Sequence, residues 1–83
     1  MNSGNETVQS IHARLKILKQ SLVSEKNSVQ YYQTLLDKTP ADSEERLGER
    51  RMYEDLKQEE TKHVQWIQDQ ILHWERQLKM LEP

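Results

Sequence analysis

Glu60 and His63 stand three residues apart in the block Glu59-Glu60-Thr61-Lys62-His63. A carboxylate and an imidazole can hold a metal ion or move a proton. On a helix this spacing puts both on one face, about one turn from each other. That face is otherwise apolar, with Leu56, Ile67, Trp74, Leu78 and Leu81 on the same stripe. Burying either polar group unpaired is costly, so each needs a partner. Glu-x-x-His pointing inward from a helix is the ligand pattern of carboxylate-bridged di-metal sites in helical bundles. In a chain rich in Glu, one such pair also arises by chance, so its meaning depends on what the other elements bring to it.

The first of those elements is a stripe of Val8, Ile11, Leu15, Leu18, Leu22, Glu25, Val29, Tyr32 and Leu36. Its steps alternate three and four, the seam of a helix that packs on other helices. A helix is expected over about 8–38. Glu25 interrupts the seam where a Leu would fit. Either it snorkels out or pairs with a Lys, fixing register as polar seam residues can, or it faces the Glu60–His63 pair.

The stretch Thr39-Pro40-Ala41-Asp42-Ser43-Glu44-Glu45 breaks the pattern. Thr39 precedes a proline and is pushed out of helical geometry. Pro40 suits a first helical turn, and Asp42 with Glu45 has capping-box spacing. A second helix is expected over about 43–81, with Gly48 a soft spot in its first turns. A connection this short makes the two helices antiparallel neighbours. Measured from the turn, Glu25 lies about 13 residues before the end of helix one and Glu60 about 17 after the start of helix two, a height difference of roughly 6 Å at 1.5 Å per residue. That is within about one helical turn, so Glu25, Glu60 and His63 are expected to share a level, all facing inward. One chain then supplies two carboxylates and an imidazole. Two chains about a two-fold axis supply four and two, the complement of a di-iron bundle. Hard oxygen ligands with one imidazole per metal suit iron, with manganese or another divalent ion as alternatives.

Composition fits this architecture. The 83 residues hold no Cys and no Phe, two Gly and two Pro. Glu, Gln, Lys and Leu dominate, as in long helices and coiled coils. Without Cys there is no disulfide and no thiolate metal site. A scaffold this small is stabilised by oligomerisation or by a metal. The net charge of −2, with signs interspersed, gives no basic footprint for nucleic acid. No apolar run approaches membrane-spanning length and no signal peptide opens the chain, so a cytoplasmic protein is expected. The polar opening over 1–7 is expected to be disordered.

From Leu22 to Leu78 the chain resembles half-length ferritin-like proteins of the encapsulated ferritin and rubrerythrin-type di-iron group. The resemblance rests on Glu25, on the aromatic Tyr32 seven residues later, and on Tyr53-Glu54-Asp55-Leu56-Lys57-Gln58-Glu59-Glu60-Thr61-Lys62-His63. It implies an all-α, two-helix antiparallel hairpin that dimerises into a ferritin-like four-helix bundle. It further implies two irons per dimer, a ferroxidase reaction with O2, Glu60 as bridging carboxylate, Glu25 and His63 as the other iron ligands, and Tyr32 beside them. The partners it implies are a second copy, alone or in multiples of the dimer, and an encapsulating protein shell. The chain departs from the group in a longer helix connection. It also has Ser24, Lys26 and Asn27 around Glu25 where some members carry further acids, and nothing resembling a capsid-targeting peptide follows Leu81.

Glu59 flanks the site as an auxiliary carboxylate or a solvated one. His12 and His73 are expected at the surface, Tyr31 pointing away from the seam, Trp66 and Trp74 in packing, and Glu54, Asp55, Lys57 and Lys62 on a solvated face. Two rival functions stand beside the ferroxidase. One is a peroxide-reducing di-iron protein, which without Cys lacks an in-chain electron donor. The other is a metal-free dimerisation adaptor in which Glu25, Glu60 and His63 form a buried polar register layer.

Overall fold

The computed structural model of the chain describes residues 6–82. Two helices, α1 (Val8–Lys38) and α2 (Glu44–Leu81), pack against each other as an antiparallel hairpin, the all-α fold expected from the two stripes. Most of the opening segment expected to be disordered, Met1–Asn5, lies outside the described residues, whereas Glu6 and Thr7 build the start of α1. The Thr7 side chain accepts from the Ser10 amide at 3.0 Å, and Ser10 Oγ accepts from the Thr7 amide at 2.9 Å. This reciprocal cap satisfies two donors that the first turn would otherwise leave open. Beyond it, Arg14 Nε donates to Glu6 Oε1 at 2.8 Å.

At the other end of α1 the pre-proline residue Thr39 is extended, with φ −106° and ψ 105°, and is 8% exposed. Its hydroxyl donates to the Leu35 carbonyl at 2.7 Å. Arg50 reaches across from α2, and its Nη1 donates to the carbonyls of Leu36, at 2.7 Å, and Thr39. A cation on the last carbonyls of a helix answers both their open acceptors and the helix dipole. The N-cap of α2 is Ser43, which accepts from the Arg46 amide at 3.1 Å. The capping box expected from Asp42 and Glu45 does not form, and Pro40 precedes the helix without entering its first turn. Ser43 wins because its short hydroxyl is already placed at the first extended residue, with Glu44 and Glu45 following in the first turn where the dipole favours acids. Gly48 does not interrupt α2.

Cross-helix ties run in opposite directions along the two helices, as an antiparallel pair requires. Lys57 Nζ bonds Gln33 Oε1, and Lys19 meets Glu75 at 3.7 Å. Lys57 is therefore half-buried between the helices, contrary to the solvated position expected for it. Near the open end the Arg14 guanidinium lies 4.6 Å from the centre of the Trp74 ring, a cation–π contact.

The apolar core is thin: Ile11, Leu15, Leu36 and Ile67 are buried, and the rest of both seams is half-buried or exposed. The hairpin measures 60 × 21 × 15 Å with a radius of gyration of 18.4 Å. A compact domain of this length would have a radius of about 12 Å. Two helices side by side cover each seam from one direction only, which leaves a long apolar flank open.

Candidate metal centre

Midway along that flank, α1 brings Glu25 and α2 brings Glu60 and His63 to one level. Each offers a ligand atom within 4.8 Å of the other two. His63 Nδ1 lies 3.5 Å from Glu25 Oε2 and 3.8 Å from Glu60 Oε2. Both separations are too long for good hydrogen bonds. The three groups therefore face one another at ion-pair range without a good hydrogen bond between them.

Glu25 Oε2 is the telling atom. It is buried and has no hydrogen-bond partner. A buried carboxylate oxygen left without a hydrogen bond is costly, and His63 Nδ1, 3.5 Å away, is too far to satisfy it well. A divalent cation seated between Glu25, Glu60 and His63 would supply the missing partner. Two carboxylates and one imidazole are a sound donor set for iron, manganese or zinc.

Surroundings differ on the two sides of this cluster. Toward the open flank lies a groove of 440 Å³ lined by Ile17, Leu18, Ser21, Glu25, His63, Trp66 and Ile67. Ile17 is 61% and Trp66 60% exposed, and the His63 side chain is 56% exposed. Trp66 thus lies on the outer surface of the hairpin and does not pack between its helices, unlike Trp74. Sequence spacing alone did not separate the two indoles. The signal that would have done so is a second stripe on α1, Ile17, Ser21, Ser24, Ser28 and Tyr31, which steps by four and three beside the main seam. By the same spacing Met52, Leu56, His63 and Trp66 border the α2 side of this flank. Met52 and Tyr31 are both exposed.

The remaining candidates are placed as follows. Tyr32 is half-buried on the seam, edge-on to Tyr31 with ring centres 5.5 Å apart. Glu59 is exposed and turned to Lys62, 3.2 Å away. His12 is exposed and meets Glu82 at 3.5 Å. His73 stands edge-on to Trp74. Neither histidine joins a ligand cluster among the described residues.

Comparison of the chain with family models, with curated proteins and with solved structures finds nothing that matches. Among the described residues, no helix is long and apolar enough to cross a membrane.

Proposed function

We propose that the protein is a ferroxidase whose di-iron site forms when two hairpins pair along the open flank. The observation that carries this reading is the orphaned, buried Glu25 Oε2 held beside Glu60 and His63. The resemblance of Leu22–Leu78 to half-length ferritin-like proteins agrees with it. Iron is here the substrate: two Fe2+ give up one electron each to O2, which takes up two protons and leaves as hydrogen peroxide, and Fe3+ leaves for storage or detoxification.

The residues of the chain have distinct tasks. Glu25 and Glu60 attract Fe2+ and, by charge, favour the Fe3+ product over the reactant. His63 adds a neutral donor that fixes orientation, since Nδ1 faces both carboxylates. Pairing through Ile17, Ser21 and Trp66 would cover the exposed edge of the cluster and restrict water there. Glu60 would join Glu25 and His63 in holding the iron, two carboxylates and one imidazole from each copy. Without cations, four carboxylates would converge in an apolar bundle, which desolvation and like-charge repulsion oppose. A hairpin pair cannot enclose a mineral core, so storage would need a separate protein container.

The test is O2-dependent Fe2+ oxidation followed by absorbance. Wild type should oxidise iron well above the buffer rate. Glu60→Ala should be the most impaired, Glu25→Ala and His63→Ala strongly impaired, and His12→Ala unchanged. A wild-type rate equal to buffer, or Glu60→Ala equal to wild type, would exclude a ferroxidase at this cluster.

A further inference from the structure

The shared di-iron site requires two chains, but its ligands do not wait for the second one. We infer that a single hairpin binds one divalent cation by itself, through Glu25, Glu60 and His63 Nδ1, and that this loading precedes and permits pairing. The inference rests on the metal reading above and concerns the order of events at the same site.

Geometry supports it first. Around an ion with bonds of about 2.1 Å, neighbouring ligand atoms stand about 3.0 Å apart in an octahedron and about 3.4 Å apart in a tetrahedron. The Nδ1 to carboxylate separations of 3.5 and 3.8 Å are near those values. All three ligand atoms lie within 4.8 Å of one another, and rotation of two flexible Glu side chains can draw them in around one ion. All three ligands come from one chain, and the register that aligns them is set inside that chain. Glu25 and His63 also line the groove between Ile17 and Trp66, where a second hairpin would approach.

Charge supplies the order. An empty hairpin presents two carboxylates at the centre of its apolar flank, one of them with a buried, unpartnered oxygen. Two empty hairpins would bring four such groups together, and like charges in a drying interface oppose contact. One divalent cation per hairpin cancels both carboxylates before the flanks meet. The apolar groove then drives association without that opposition, and each arriving copy delivers its own ion. Metal supply thereby controls assembly.

The experiment is a Co2+ titration followed by absorbance, with sedimentation run on the same samples. The samples are wild type above and below its dimerisation range and the neutral flank variant Ile17→Gln with Trp66→Gln. The expected result is one Co2+ per chain in the monomeric variant, with an affinity within about threefold of diluted wild type. Binding should be lost in Glu25→Gln, and metal should raise the dimer fraction of wild type. Should the flank variant lose helicity, dilution of wild type alone decides. If folded monomers bind no Co2+ while dimers do, the single-chain site is overturned and the shared site stands. If wild type binds none at any concentration, the metal reading falls as well.

Discussion

Glu6 shows how much one side chain can do for a helix start. The Ser10 hydroxyl donates to its Oε2, and Arg14 bonds its Oε1, and these bonds hold its carboxyl below the ordinary value of 4.5. A carboxyl whose pKa is lowered by folding stabilises the folded form above its ordinary value and loses that contribution as pH falls through the lowered one. Fraying of the first turn of α1 should therefore increase on acidification below 4.5 and be pH-independent there in Glu6→Gln. Amide exchange at Ser10 and Ile11 across that range measures it, and identical profiles in the two proteins would remove the role. At this same scale the sequence was most legible where a residue broke its own pattern. Glu25 stood out because a seam demands Leu, and Glu60 with His63 because a polar pair sat on an apolar stripe. Trp66 and Lys57 were not legible. Whether a large amphipathic side chain lies between two helices or beside them depends on rotations of a few tens of degrees, finer than a three-and-four pattern defines.

The two helices were expected from periodicity, and both lie where the stripes put them. Their caps were harder. Asp42, Ser43 and Thr39 are all cap-forming types, and several such residues in a row leave the choice to the turn that the whole hairpin adopts. The grip of Arg50 on Leu36 and Thr39 was hidden for a plainer reason, since an arginine-to-carbonyl contact across a turn has no sequence periodicity. Removing it should leave the end of α1 unsatisfied. Arg50→Ala should lower stability by about 1.5 kcal/mol, the low end for a charged hydrogen bond because the side chain is half exposed, with Arg50→Lys recovering part. Urea unfolding followed by circular dichroism checks this. Equal midpoints for Arg50→Ala and wild type would show that the turn holds without the clamp.

On the scale of the whole molecule, a hairpin 60 Å long with four buried apolar side chains among the described residues has little to hold it in isolation. The flank of Ile17 and Trp66 holds the candidate ligands, whereas the Lys19–Glu75 and Lys57–Gln33 ties fall by helical spacing on the opposite edge, and a second groove is lined by Leu22, Ile71 and Leu72. Sedimentation at micromolar concentration in the presence of metal should show a dimer or a multiple of it, and the paired substitution Ile17→Gln with Trp66→Gln should shift the population to monomer. A folded wild-type monomer under those conditions would count against pairing through this flank. That the hairpin forms was legible from the sequence. Which flank carries the candidate ligands was not, because both edges of a seam look alike until the side chains beside it are placed.

The two indoles of the chain stand in unlike surroundings. Trp74 is half-buried under the Arg14 guanidinium, and Trp66 lies in the open groove one turn from His63. The molecule thus has a built-in optical reporter. In a Trp74→Phe protein all indole emission arises at the edge of the ligand cluster, where arrival of a second hairpin would move it to the blue and a nearby transition metal would quench it. Loading and pairing, two events that share one place, become separable by colour and by intensity in a single cuvette.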